Sequence, residues 1–428
     1  MTPLTLAKFL IGSREAIEQI ARAPQAIFVG LLFVLSAGLA REYDGEDLLH
    51  EPWHLLLPLA ASLATATLLY LLVAGVGFCR GAGIRPFLLR YRAFLSLYWM
   101  TAPLAWLYAI PVERFLSPLD SIRANLWLLG IVALWRVLLI TRVVSVLYRT
   151  RYLAALLVVM LMADVVAVSV IVATPRPVVG IMGGIRLTEA ESLIHATSCL
   201  IIIFGVLSIP IWFFGAVFVA IPLGGKRGWL WTISADALPL RVGWGAWTVA
   251  ASLLVVGVAL LPLAQPEQQR RWIVEDQLRH GRIDEALQFM SKLDRDDFPP
   301  YWDPPPRIGY GERKPDMWSI LKLVQEEKIA PWVREVYIEK LVSRTQYPVF
   351  DERDQVVNIT ELDDDNLRRY VNFIASLPEP QQVASHHSRL VDEALYEYRD
   401  EEYVEREDLS AMRRNALKKL ESLESDDE

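Results

Sequence analysis

The sequence predicts an all-α polytopic membrane protein, about seven transmembrane helices followed by a soluble α-helical C-terminal domain, and three observations carry that prediction. The chain is 53% apolar, with a positive mean hydropathy of +0.29, a composition typical of proteins that fold in lipid. Its long apolar runs all fall before residue 265. Charge divides at the same place: residues 265–428 carry 24 Lys and Arg against 37 Asp and Glu, a net of −13, and residues 1–264 carry 19 against 13, a net of +6. The two parts suit different solvents. They define an amphipathic lead-in over 1–23, a transmembrane helical bundle over 24–264, and an acidic helical domain over 265–428 ending in a disordered acidic tail.

In the lead-in, Leu6, Phe9, Leu10, Ile17, Ile20 and Ala21 share most of one helical face, so the segment is expected to lie in the membrane surface. A bilayer core of about 30 Å takes roughly 20 apolar helical residues. Seven stretches qualify: Pro24–Ala40, Trp53–Gly77, Ala93–Ile110, Ala124–Ile140, Tyr152–Thr174, Ser192–Ile221 and Trp244–Ala264. The third and fourth are the shortest, and a re-entrant or interfacial helix is the alternative for either. No short apolar stretch with a small-residue cleavage site precedes the first, which predicts that it is retained.

Lys and Arg in the short loops orient the bundle: thirteen fall in the alternate segments that include the N-terminus, and five in the opposite loops. The N-terminus is therefore expected in the cytoplasm and, with seven spans, the C-terminal domain outside it. Arg270, Arg271, Arg279 and Arg282, just after the last span, pull the other way. Trp53 at the second span and Trp229, Trp231, Trp244 and Trp247 around the seventh are candidate membrane-interface anchors, where indole buries its ring and still hydrogen-bonds near headgroups.

Beyond Pro262 and Pro266, helical spacing places Met317, Ile320, Leu321 and Val324 on one stripe and Leu367, Tyr370, Val371 and Ile374 on another. Pro331 suits the first turn of a third helix, and FPPYWDPPP (298–306) reads as an extended or turn segment. QLRHGRIDEALQFM, with Gly281 between two helical patterns, looks like one hairpin of a tetratricopeptide-type repeat without a second copy. Acidity here excludes nucleic acid as a partner, because phosphate would be repelled. A protein partner fits better.

Few motifs carry chemistry. His50-Glu51-Pro52-Trp53-His54 satisfies the H-E-x-x-H pattern of zinc proteases, which needs both imidazoles one turn apart on a single helix. Pro52 predicts instead a helix that starts at Glu51 or Pro52 and leaves His50 before it. The glycine clusters at 75–83 and 222–228 complete no nucleotide-binding fingerprint and read as helix exits, so no cofactor is expected. Cys79 and Cys199 make no disulfide framework, and His386 and His387 read as a solvent-facing pair. The charges most clearly inside spans are Arg136 and Asp164, in the fourth and fifth helices. Matched by depth, they form a candidate intramembrane pair, the alternative being that Arg136 reaches the cytoplasmic headgroups while Asp164 bonds to backbone or water.

REYDGEDLLHEPWHLL (41–56), MGGIRLTEAES (182–192), RIDEALQFM (282–290) and FPPYWDPPPRIGYG (298–311) resemble uncharacterised, planctomycete-like bacterial multi-pass membrane proteins. That family has no assigned activity; the resemblance implies a bacterial inner membrane and no catalytic residues. The expected function is a non-enzymatic membrane anchor or sensor whose C-terminal domain binds a protein. A transporter or channel is the alternative, motivated by the intramembrane charges and by Pro210, expected to interrupt the sixth span, and an intramembrane zinc metalloprotease the second alternative.

Overall fold

Thr2 accepts a hydrogen bond from the Thr5 amide and Pro3 occupies the first helical position, so the chain enters a helix almost at once. The computed structural model describes residues 1–41, 47–79, 87–110, 112, 115–173, 189–220, 229, 231–233, 239–299, 302–307, 315–325, 329–346, 357–399 and 402–425. The chain divides into two compact units, Met1–Gln265 and Pro266–Glu428.

The first unit contains α1 (Pro3–Leu10), α2 (Arg14–Ala21), α3 (Ala26–Arg41), α4 (Leu56–Cys79), α5 (Phe87–Trp99), α6 (Pro118–Leu147), α7 (Tyr152–Ala173), α8 (Glu189–Phe214) and α9 (Trp244–Ala264) among its described residues. Both lead-in helices bury one face, Leu6 and Phe9 on α1 and Ala16, Ile17, Ile20 and Ala21 on α2. Among the described residues, five helices are long and apolar enough to cross a membrane: Pro52–Val76, Leu119–Leu147, Tyr152–Ala173, Ser192–Phe218 and Trp244–Ala264. A sixth is reached if α2 and α3, bent by 108°, count as one broken span.

The count of seven is not met on length and composition, and two expected spans account for the shortfall. The first yields α3, only 16 residues long. The third is not one helix: α5 ends at Trp99 and a 3₁₀ helix runs from Ala102 to Ala109. Pro103 explains the break, since its ring would meet the Trp99 carbonyl in a continuous α-helix and it disfavours the α conformation at Ala102. Thr101 reinforces it by donating to the Tyr98 carbonyl at 2.7 Å. The fourth span is longer than expected, because Ser117 caps α6 through the Asp120 amide and Pro118 starts it. Pro210 does not interrupt the sixth; α8 passes through it and ends in a π-helical turn, Gly215–Ala220.

Three segments meet at one end of this unit. The N-terminal ammonium donates to the Arg241 carbonyl at 2.9 Å, the Leu240 amide donates to the Arg22 carbonyl, and Arg142 donates to the Gly12 carbonyl at 3.3 Å. The Thr232 amide donates to the Leu147 carbonyl. The lead-in, the end of α6 and the chain preceding α9 are thus tied together.

In the second unit the described helices are α10 (Pro266–Arg279), α11 (Ile283–Ser291), α12 (Met317–Val324), α13 (Pro331–Gln346), α14 (Asp364–Ala375), α15 (Pro380–His386), α16 (Ser388–Leu395) and α17 (Ala411–Ser425). Both expected apolar stripes are buried in its core, and Gly281, at φ +74°, makes the turn between α10 and α11. Lys340, 5% exposed, donates to the Pro304 and Pro306 carbonyls and pairs with Asp303, while Tyr337 donates to the Pro305 carbonyl. The proline-rich segment is thereby fastened to α13.

Three expectations need correction. The unit is not purely helical, since Tyr396–Arg399 (β1) and Glu402–Glu405 (β2) pair antiparallel with Tyr396 opposite Glu405. The tail is helical to Ser425 because Leu417 and Leu420 belong to the core. His387 is not solvent-facing: it is 1% exposed and shares a 3.0 Å hydrogen bond with the Tyr370 hydroxyl. Burial pushes its imidazole down to about 3, which keeps the ring neutral.

Candidate functional site

The third span's break opens a polar pocket in an apolar bundle. Arg136, on α6, donates from Nε to Thr101 Oγ1 at 3.1 Å, and its guanidinium carbon lies 4.8 Å from the centroid of the Tyr98 ring. Both partners flank the point where α5 stops. The Tyr98 hydroxyl donates to Thr65 Oγ1 on α4 at 3.0 Å, and Thr65 donates to the Ala61 carbonyl at 2.8 Å. A hydroxyl ladder continues between these helices, with Thr67 bonded to Tyr91 at 2.7 Å and Tyr70 donating to the Phe87 carbonyl at 3.0 Å. It fixes α5 against α4 by polar bonds, the economical way to pair helices where lipid removes the hydrophobic driving force.

Beside Arg136 is a cavity of about 310 Å³ lined by α3, α4, the 3₁₀ segment, α6 and α7. Its walls are mainly apolar, with Val34, Ala37, Val132, Val159 and Met162 among them, and Arg136 is the one charged group in its lining among the described residues. Ser62 also lines it, and the Ser62 hydroxyl is buried with no hydrogen-bond partner among the described residues. Beyond the Nε bond, Arg136 makes no further hydrogen bond and no ion pair with described residues, which leave its terminal amino groups unused. A guanidinium carries five N–H donors. This one is left with capacity for an anion in an apolar cavity.

Arg136 and Asp164 do not pair. Asp164 accepts from Ser208 Oγ at 2.5 Å and from Trp212 Nε1 at 2.7 Å, both on α8. The reason is angular. At about 100° per residue, Asp164 shares a helical face with Leu157 and Val168, which pack against Gly215 of the π-helical turn and Gly205 of α8 so closely that a Cβ on Gly205 would lie 2.5 Å from Val168. The opposite face, with Val159, Met162, Ala163 and Val166, lines the Arg136 cavity.

The H-E-x-x-H string is not assembled on one helix. His50 lies in a turn with Nδ1 2.8 Å from Asp47, and a 3₁₀ turn begins at Pro52. His54 lies in that turn with Nε2 3.2 Å from Glu51. The two imidazoles thus engage different carboxylates, and among the described residues no group of three His, Cys, Asp or Glu stands close enough to hold a metal. Of the candidate anchors, Trp53 and Trp244 are 57% and 88% exposed. Trp231 and Trp247 are half-buried against the core. Trp229 is a correction: it is fully buried, in a stretch that Thr232 fastens to the Val146 and Leu147 carbonyls at the end of α6.

Arg136 is visible to sequence inspection as an ionisable residue in an apolar run. Tyr98, Thr101, Thr65 and Ser62 are not, since hydroxyls are common in spans and only the break at Pro103 gives them a shared focus. The segments 174–188 and 221–228, which include part of one resembling stretch and a glycine cluster, lie outside the described residues. No protein-family model matches the chain, and no curated protein or solved structure matches it.

Proposed function

We propose that this is an integral membrane receptor or sensor which binds a small molecule inside its helical bundle, at Arg136, and docks a protein partner through its acidic C-terminal helical unit. The observation that carries the reading is Arg136 itself, a charge within an apolar span that the described residues supply with a hydroxyl and a ring but no counter-ion. Intramembrane charges of this kind are costly and mark functional sites. Native mass spectrometry of protein purified in mild detergent tests it. Wild-type protein is expected to carry a small bound mass that Ala105→Phe, which fills the cavity, eliminates. Protein that carries no small molecule under any extraction would sink the binding half, and the absence of any partner that depends on residues 265–428 would sink the docking half.

The bacterial inner membrane is the compartment that fits the resemblance, with the N-terminus in the cytoplasm. The reading is supported by three basic segments, at the start of the chain, the end of α6 and the stretch before α9, being joined at one end of the unit. A crossing by the broken α5–3₁₀ segment would bring the chain to the opposite face before α6 and leave the C-terminal unit outside. Reporter fusions after Gly225 and after Leu420 are expected to read cytoplasm and exterior; cytoplasm at both would mean that the broken segment turns back.

A transporter is the second reading, favoured by Asp164, an intramembrane carboxylate held by two neutral donors. Substrate-dependent flux in proteoliposomes that is lost in Asp164→Asn would establish it.

A further inference from the structure

We infer that the cavity beside Arg136 is built for a single-chain monocarboxylate, a fatty-acid-like molecule with its headgroup on the guanidinium and its tail along the apolar wall. The inference rests on the binding reading above and adds the chemical class of the ligand. Charge decides the headgroup. The described lining contains one formal positive charge and otherwise hydroxyls and apolar groups, so one negative charge neutralises the site while a dianion leaves a net charge in low dielectric. A cation would meet uncompensated Arg136. A neutral ligand could accept a hydrogen bond but would leave the guanidinium charge uncompensated, which is costly in an apolar cavity.

Geometry favours a carboxylate further. The guanidinium is held by the Nε bond to Thr101 and by the Tyr98 ring at 4.8 Å, and a fixed fork matches the two oxygens of a carboxylate. The Ser62 hydroxyl, buried in the same lining and without a partner among the described residues, offers one further neutral donor. Size limits the tail. At about 310 Å³ the cavity stands near the lower end of ligand sites, roughly 300–1,000 Å³, enough for one short chain and far short of the two acyl chains of a phospholipid.

The test uses the full-length protein in nonionic detergent, radiolabelled decanoate as the probe, and unlabelled decanol, decyl phosphate and decyltrimethylammonium as competitors. Decanoate is expected to bind saturably, with decanol and decyl phosphate at least about tenfold weaker and decyltrimethylammonium not competing. Arg136→Gln should weaken decanoate by about tenfold to a hundredfold, the range for a charge-assisted hydrogen bond, and leave decanol unchanged. Arg136→Lys, which keeps the charge without the fork, should weaken it several-fold and serves if the Gln variant does not fold. Decanol binding as tightly as decanoate, with neither substitution mattering, would overturn the carboxylate while leaving a binding cavity intact. Decyl phosphate binding more tightly would overturn the monoanion. Failure of every probe would remove the binding reading itself.

Discussion

Replacing Glu275 by Ala is expected to destabilise the C-terminal unit by about 3–5 kcal/mol, the range for breaking a buried ion pair from one side. Glu275 is 3% exposed. It pairs with Arg271 at 3.1 Å and with Arg307, accepts from Trp302 Nε1 at 3.0 Å, and meets Arg279 at 3.4 Å. Arg279 is more than half exposed and contributes little. Arg271 and Arg307 are mostly covered, with 20% and 24% of their side chains exposed, so removing the carboxylate leaves two guanidinium groups crowded together and a buried indole N–H unpaired. Glu275→Gln keeps the shape and one acceptor, and should recover part of the loss. Hydrogen exchange of α10 amides in the full-length protein reads the change. A loss under about 1 kcal/mol for the Ala variant would mean that water enters and screens the cluster.

Trp229→Ala should have a comparable effect on the first unit, about 3–5 kcal/mol, as for a buried aromatic truncated to Ala. Its ring is fully buried, and its backbone, at φ +66°, occupies the left-handed region that a bulky residue rarely adopts unless its surroundings hold it there. The hold is visible nearby. Thr232 bonds to the carbonyls of Val146 and Leu147, and Trp231 packs edge-on against Tyr148 with ring centroids 5.4 Å apart. Trp244→Ala, at an 88% exposed position, should shift stability in detergent by no more than about 0.5 kcal/mol. Equal, small effects at both positions would put Trp229 back at the lipid interface.

The contrast between these two tryptophans shows what hydropathy can and cannot locate. It finds apolar runs, so α4, α7 and α9 appear close to their expected bounds, and the acidic half separates by charge alone. It does not read backbone hydrogen bonding. The run from Ala93 to Ile110 is apolar throughout, yet Pro103 divides it, and the start of α6 is hidden by Asp120 and Arg123 in a helical turn that composition reads as loop. Depth along a helix is likewise only one of two coordinates. Arg136 and Asp164 match in depth, but Asp164 points toward α8, and only rotation about the helix axis, fixed by Leu157 and Val168 against glycines, decides that. The hydroxyls around Arg136 carry no pattern until the chain breaks beside them.

That break has a further consequence. A 3₁₀ helix has about three residues per turn and rises about 2.0 Å per residue, so Ala102, Ala105 and Tyr108, all part of the cavity lining, stand in a straight row. In an α-helix the same three would fan out by about 60° at each step. The wall therefore depends on counting: one residue inserted between Thr101 and Ala105 rotates everything after it by about 120°, turning Ala105 and Tyr108 away from Arg136 without altering a single side-chain volume.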